Sequence, residues 1–311
     1  MHPPRHLALL ANPTSGRGRG GRLVGPVAER LRGGGARVDV LVGADADAAY
    51  DLARGAVAAG VDALVALGGD GMVNLATQVV AGTGTPLGVV PAGTGNDIAR
   101  LLGLPRGPRL ADALAAADVV RAGRVTTLDA GRVAGRWFLS VLSSGFDSKV
   151  NERANRMRWP GGRWRYDVAI AAELRTFRPL PYVLELDGKT WRTEAMLVAV
   201  GNGRSYGGGM LVCPDADPTD GRFDVVVVGP LSRPEFLRVF PSVFRGEHVR
   251  HPAVTVRRAA TVTLAAPGMT AYADGERVSA LPVTAETVPA AVRVLVPWPA
   301  EAGSAAPARR P

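Results

Sequence analysis

Three short stretches combine glycine with a few polar side chains at the ends of apolar runs: "NPTSGRGRG" at 12–20, "GGDG" at 68–71 and "PAGTGND" at 91–97. A strand-to-helix turn leaves backbone N–H groups free at the helix start, with partial positive charge. Glycine lets an anion approach those groups closely. Gly68, Gly69 and Gly71 therefore suit a phosphate cradle. Asp70 in the same turn would repel a bare phosphate, so its carboxylate makes sense with a cation between the two. Mg2+ carried by ATP supplies one. The first stretch offers Asn12, Thr14 and Ser15 as hydrogen-bonding groups, then Arg17 and Arg19, and the third offers Thr94 and Asn96. Plainer readings stand beside these. Gly-Asp-Gly also builds ordinary type I′ or type II turns, and Thr94 or Asn96 can cap a helix. No GxxxxGK[ST] is present, so there is no P-loop. No GxGxxG follows the first strand, which disfavours an NAD-dependent oxidoreductase.

The segments around these turns alternate. Residues 6–12, 36–42, 62–69 and 86–93 read as strands, and 19–32, 46–59, the stretch after Gly71 and the stretch from Asn96 read as helices. That order predicts a parallel sheet with helices on both faces, whose ligands bind at the carboxyl ends of the strands. All three glycine turns fall there. After residue 128 short strand-like runs dominate: 125–134, 136–144, 181–187, 190–201, 223–229, 253–266, 270–273, 276–285 and 290–297. Helical candidates interrupt at 147–158, 163–177 and 232–246. This predicts an antiparallel sandwich or barrel. The expected organisation is an α/β domain over 1–128, a β-rich domain over 129–297 and a disordered Pro/Ala-rich tail over 298–311.

Composition sets outer limits. Hydrophobic residues make up 47% of 311 positions and aromatics 5%, so a core must rest on Ala, Val and Leu. The net charge of +9 draws phosphates, nucleic acid or anionic lipid, although an arginine-rich composition alone would also produce it. No nucleic-acid-binding motif accompanies the charge. Cys213 is the single cysteine, which excludes an internal disulfide or zinc cluster and agrees with a cytoplasmic setting. His248 and His251 are three apart but have no third ligand nearby, and no apolar run reaches the length of a membrane span.

The stretches "NPTSG", "GGDGMVN", "PAGTGNDIAR", "SSGFDSKV", "VGNGRSYGGGMLVCPDADPTDGRFDVVVV" and "ADGE" occur in the order and spacing of the diacylglycerol kinase catalytic-domain family. The chain resembles its soluble bacterial lipid kinases over about residues 6–297. The resemblance implies ATP in the cleft between the two domains, lined by Asn12, Pro13, Thr14, Ser15, Gly16, Gly68, Gly69, Asp70, Gly71, Asn74, Gly93, Thr94 and Asn96. It implies Glu276 of "DGE" as the general base toward a lipid hydroxyl, with Asp70 beside it in the catalytic set. It also implies Mg2+ held by Asp220 and by backbone carbonyls of Asp217 and Arg222. Taken alone, Asp274-Gly275-Glu276 reads as a plain hairpin turn, and the acidic run at 215–220 as a β-turn.

Two positions depart from the family pattern. Met72 stands where a threonine or serine is usual, and Leu75 where a glutamate is usual. The segment "NERANRMRWPGGRWRY" (151–166) sets five arginines beside Trp159, Trp164 and Tyr166, suited to peripheral contact with an anionic membrane or to a solvated helix pair. The implied partner is a lipid substrate, and a homodimer is compatible with the pattern. The expected activity is ATP- and Mg-dependent phosphorylation of a lipid hydroxyl, diacylglycerol-like or sphingoid. The alternatives are a kinase of a soluble acceptor such as NAD, or a catalytically weak nucleotide- or lipid-binding homologue.

Overall fold

The computed structural model describes residues 3–13, 15–157, 168–170, 172, 173, 175 and 178–297. The four strand-like segments of the first part become β1 (His6–Ala11), β2 (Arg37–Leu41), β3 (Ala63–Gly68) and β4 (Leu87–Pro91), all but β2 strongly apolar. They pair in parallel in the order β2-β1-β3-β4. β3 and β4 are buried at every position because helices cover both faces. Leu7 and Leu9 point to one layer, with Leu23, Val27 and Leu31 of helix α1 (Ser15–Arg32) and Ala113, Ala116 and Ala117 of α5 (Leu110–Ala122). Ala8 and Leu10 point to the other, with α2 (Ala46–Ala58) and α3 (Asp70–Val80). α4 (Asp97–Leu101) is a single short helix after β4. The sequence predicts no separate helix at α5. Its apolar face is almost all alanine and valine, which gives little contrast with its solvent face.

The rest of the chain is a sandwich of two sheets. β7 (Val141–Gly145), β10 (Leu197–Gly201), β11 (Phe223–Val228), β12 (Val254–Ala259), β14 (Thr270–Ala273) and β15 (Glu276–Ala280) form an antiparallel sheet ordered β12-β11-β10-β7-β14-β15. Opposite it lie β5 (Val125–Val133), β6 (Arg136–Phe138), β8 (Leu180–Leu186), β9 (Lys189–Ala195), β13 (Thr261–Ala265) and the 13-residue β16 (Val283–Leu295). Tyr182, Leu184, Val198, Val200, Val225 and Leu264 fill the space between the layers. Helices α6 (Phe146–Arg156) and α7 (Arg233–Val239) lie outside the first sheet.

β16 joins the two halves. It pairs with β5 along most of its length and meets β4 in parallel at Val294, so one ten-stranded sheet runs through both. The expected boundary after residue 128 falls inside β5. The expected strands at 190–201 and 253–266 each divide in two, at Met196 and at Ala260, where the chain passes from one sheet to the other. The expected runs 276–285 and 290–297 divide at residues 281–282 instead, since 283–295 is one strand with a bulge near Ala290. Helix 163–177 and residues 298–311 lie largely outside the described residues.

Candidate functional site

The GGDG and PAGTGND turns follow neighbouring strands, and they touch through backbone. A Cβ on Gly93 would lie 2.5 Å from the Gly69 Cα, and one on Gly69 would lie 3.2 Å from the Gly93 Cα. Gly69 has φ −90°, which any residue adopts, so glycine is needed here for space and not for backbone freedom. Gly95 is tight for a related reason: its Cβ would sit 2.6 Å from Asp70 Oδ2.

Asp70 opens α3 and reaches across to the second turn. Its Oδ1 accepts the backbone N–H of Asp97 at 2.7 Å and of Ile98 at 3.4 Å. The start of α4 is therefore capped from 27 residues away. Asn96, at φ 55°, folds its amide back onto its own loop: Gly93 N–H donates to Oδ1 and Nδ2 donates to the Gly93 carbonyl, each at 3.0 Å. Thr94 is exposed. The N-cap role considered for Thr94 and Asn96 thus belongs to Asp70. Burial pushes the Asp70 carboxyl up, and the charge of Asp97 adds to the shift. The Asn96 backbone is a further donor to the same carboxyl.

Asp97, which sequence reasoning passed over, extends this tie into the sandwich. Its Oδ1 accepts from Arg100 Nη1 at 2.8 Å, and its Oδ2 accepts the Gly208 N–H at 2.7 Å. Gly208 stands in the middle of Gly207, Gly208 and Gly209, with φ of 64°, 83° and 108°, values that favour glycine. On the same loop the Tyr206 hydroxyl donates to the half-buried Asp147 at 3.0 Å.

The DGE stretch forms the hairpin turn that the sequence allowed. Asp274 and Gly275, at φ 49° and 85°, form a two-residue hairpin turn between β14 and β15. The Asp274 side chain is inward. Its Oδ2 accepts from Leu139 N–H at 2.8 Å, and its Oδ1 from Ser140 and Val141 N–H at 2.9 and 3.1 Å. Burial pushes its carboxyl up to about 6 against those three donors, and Asp70 adds a little. Glu276 is exposed, with its Oε1 3.5 Å from where a Cβ on Gly71 would be. The hairpin of the sandwich and the glycine turn of the parallel sheet therefore share one small space.

At the end of β1, Asn12 N–H donates to the Leu67 carbonyl at 3.3 Å, next to the third strand's turn. Ser15 starts α1 with its Oγ buried and without a partner, beside Asn12, Pro13 and Gly16. Thr14 lies outside the described residues. Arg19 donates to the Gly107 carbonyl at 2.7 Å, so it braces α1. Asn74 is buried in the first turns of α3. Met72 and Leu75 both pack on the core of this half, and Met72 Cβ lies 2.6 Å from a Cβ built on Gly68. The methionine is a packing residue against the end of β3.

The loop expected to hold metal has a different anchor. Asp217 Oδ1 accepts from Thr219 N–H and Oγ1, at 3.0 and 2.7 Å. Asp220 Oδ1 accepts Arg222 N–H at 3.0 Å, and its Oδ2 pairs with Arg258. The buried Asp129 holds the loop: it accepts Gly221 N–H at 2.7 Å and Ala290 N–H at 2.8 Å, and its own N–H donates to the Pro218 carbonyl at 2.7 Å. Among the described residues none of Asp217, Asp220 and Arg222 bonds to the glycine turns. The donors are all oxygen, which fits magnesium chemically, and Asp220 is at present paired with the exposed Arg258. Sequence reasoning missed Asp129. Its signal was a carboxylate inside the strand-like run "VTTLDAGRV". The two histidines are structural: His248 Nε2 bonds the Val212 carbonyl at 3.0 Å, and His251 Nδ1 accepts Ala253 N–H at 3.2 Å.

Residues 6–133 match the family model described as diacylglycerol kinase catalytic domain, and 140–296 match the model described as YegS C-terminal NAD kinase beta sandwich-like domain. A curated relative, the "Diacylglycerol kinase" of Mycobacterium tuberculosis (strain ATCC 25618 / H37Rv), is 46% identical over 303 residues, 95% of this chain and 96% of its own. The crystal structure titled as a diacylglycerol kinase from Bacillus anthracis str. Sterne superposes with a TM-score of 0.72 at 20% identity, covering 94% of this chain and 97% of that one. An NAD kinase from Archaeoglobus fulgidus in complex with ATP shares the fold at a TM-score of 0.53 and 15% identity, covering 93% of each chain.

Proposed function

The chain belongs to the diacylglycerol kinase catalytic-domain family, and from that premise we propose that it transfers the γ-phosphoryl group of ATP to the hydroxyl of a lipid, diacylglycerol-like or sphingoid. The observation that carries the reading is the approach of Glu276 to Gly71. It sets a carboxylate beside backbone N–H groups at a helix start, the two things a phosphoryl transfer to an alcohol needs.

In this reading the phosphates lie along the N–H groups at the starts of α1 and α3, over Gly69 and Gly71, with Ser15, Asn74, Gly93 and Thr94 around the nucleotide. Asp70, Asn96 and Asp97 keep the turns in register. Glu276 accepts the proton of the lipid hydroxyl as the new O–P bond forms and the bond to the ADP oxygen breaks. Glu276 accepts no hydrogen bond among the described residues, so both oxygens are available to an acceptor. Asp217, Asp220 and the Arg222 carbonyl would hold magnesium, whose chemistry is to neutralise negative charge. A lipid acceptor implies work at a membrane surface, and among the described residues no helix is long and apolar enough to cross one.

The test is transfer of radiolabel from γ-labelled ATP to a panel of diacylglycerol, a sphingoid base, ceramide and NAD. Labelled diacylglycerol or sphingoid base bears the proposal out. Label on NAD alone would replace it with the soluble-acceptor reading, and nucleotide binding without turnover would leave a binding homologue.

A further inference from the structure

We infer that the exposed face of residues 233–250 docks on an anionic phospholipid bilayer. The purpose of such docking rests on the lipid-kinase reading, while the observations behind it do not.

Ser232 and Glu235 form a capping box that starts α7, and the chain continues from its end into a 3-10 helix at Phe240–Arg245. Phenylalanines recur every fourth residue, at 236, 240 and 244. With Phe146 they build a ladder of rings from core to solvent, with centroid separations of 4.9 Å (Phe146–Phe236), 5.7 Å (Phe236–Phe240) and 6.2 Å (Phe240–Phe244). Phe146 and Phe236 are buried, but Phe244 is 47% exposed. Leu237, at 60%, is the most exposed large apolar side chain among the described residues. Pro241, also exposed, lies between them at helical spacing. Val168, exposed at 43%, adjoins Ala169 and Ile170, which pack on the same small cluster as Phe236 and Phe240.

The charge around this stripe is net positive. Residues 233–250 carry Arg233, Arg238, Arg245 and Arg250 against Glu235 and Glu247. Glu235 is engaged by the Ser232 cap and Glu247 by Arg245. Exposed Leu and Phe ringed by arginine suit an interface with negative headgroups, where the rings enter the acyl boundary and the guanidinium groups stay at phosphate level. A second copy of the chain fits less well. A whole aromatic side chain offers about 150–250 Å², and Leu237, Pro241 and the half-exposed Phe244 together fall short of the ~800 Å² per partner of a standard interface. The position also serves the proposed reaction. Phe146 begins α6, and α6 packs on β7 and β14, which leads into the Glu276 hairpin. One helix thus connects the docking face to the proposed base.

The experiment is co-sedimentation of the full chain with vesicles of phosphatidylcholine containing one part in four phosphatidylglycerol. Wild type is compared with Leu237→Glu/Phe244→Glu and with a control, Val40→Glu/Val42→Glu, placed on the exposed β2 edge. Wild type should bind these vesicles, and salt should weaken the binding. The stripe variant should lose at least tenfold in partitioning, and the control should stay within twofold. Circular dichroism checks that both are folded. Phosphorylation of a short-chain diacylglycerol in detergent should be unchanged in the stripe variant, while phosphorylation of vesicle-borne substrate falls. Equal vesicle binding by folded wild type and stripe variant overturns the inference. So does sedimentation velocity showing a wild-type dimer that the stripe variant dissociates, since the face would then be a self-interface. Stripe-dependent vesicle binding with no lipid phosphorylated would uphold the docking face and refute the kinase reading.

Discussion

Gly93→Ala tests whether the two glycine turns must touch. Gly93 is outside the left-handed region, so alanine fits its backbone. On conformational entropy alone the change would stabilise the fold by about 0.4–1 kcal/mol. The structure gives the opposite sign. The new Cβ would lie 2.5 Å from the Gly69 Cα and 2.9 Å from Asn96 Oδ1. Carbon pairs settle at ~3.5–4.0 Å, so the turns must separate by on the order of 1 Å. Neither neighbour can swing away: one is backbone, and the other is pinned to Gly93 by two hydrogen bonds. Overpacking of this kind costs about 1–3 kcal/mol, which exceeds the entropic gain. A 1 Å error in a reacting constellation costs about 10²-fold in rate. The expected result is a melting temperature lower by a few degrees, since 1 kcal/mol moves a domain of this size class by about 2–4 °C, and kcat reduced about a hundredfold. Gly55→Ala is the comparison, because it sits within α2 with open space around its Cβ and should raise the melting temperature. If Gly93→Ala behaves like Gly55→Ala in melting and keeps its turnover, the turns are not in contact and the steric account fails.

Glu276→Gln should leave melting and ATP affinity nearly unchanged and lower kcat by ~10²–10⁴, read in steady-state kinetics; full turnover would remove Glu276 from the reaction. Gly71→Ala should keep the melting temperature, because it lies in the first turn of α3 with its nearest neighbour at 3.5 Å, yet raise the KM for ATP or the lipid by crowding Glu276; unchanged kinetics would separate that space from the reaction. Met72→Thr should destabilise by about 1–2 kcal/mol through lost packing, measured by urea titration, and an unchanged midpoint would show that the side chain packs on nothing. Asp274 has a folded pKa raised from 3.8 to about 6, so the folded state holds its proton longer and stability falls as pH rises from about 4 to about 6. That shift corresponds to about 3 kcal/mol, and the difference between wild type and Asp274→Asn across this window should contain it; parallel pH curves for the two proteins would refute the assignment.

What the sequence made legible follows from how local each cause is. The central parallel strands β3 and β4 were readable because burial on both faces leaves apolar runs without alternation, bounded by glycine. The Asp274-Gly275 turn was readable because two positive φ values select those residues. The α5 helix was not, since alanine reads alike on its inner and outer faces. The division of residues 253–266 at Ala260 was not, because leaving one sheet for another changes no local propensity. The site was partly legible. Glycine marked where the turns are, and the family pattern marked Glu276. What glycine accomplishes there was hidden, because a close approach such as Gly69 to Gly93 depends on two segments at once. The same holds for Asp70, whose partners are 27 and 28 residues on, and for Asp129, whose partners are 92 and 161 residues on.

The carboxylates around the site divide by what their oxygens already do. Asp70 accepts from the start of α4, Asp97 from Arg100 and Gly208, Asp129 from Gly221 and Ala290, and Asp274 from three successive amides. A carboxylate held this way is fixed in place by several donors, and taking up a proton means losing some of them. Such groups are suited to holding loops, because oxygens already engaged by backbone and arginine donors are not open to a substrate hydroxyl. Glu276 differs on every count. It is exposed, it accepts no hydrogen bond among the described residues, and it projects from a tight hairpin toward the start of α3. Its neighbour two residues back fixes that hairpin, because Asp274 anchors the turn to residues 139–141 while Gly275 reverses the chain. In the proposed reaction the DGE stretch therefore divides its labour: the aspartate positions, the glycine turns, and the glutamate is left free to meet the hydroxyl.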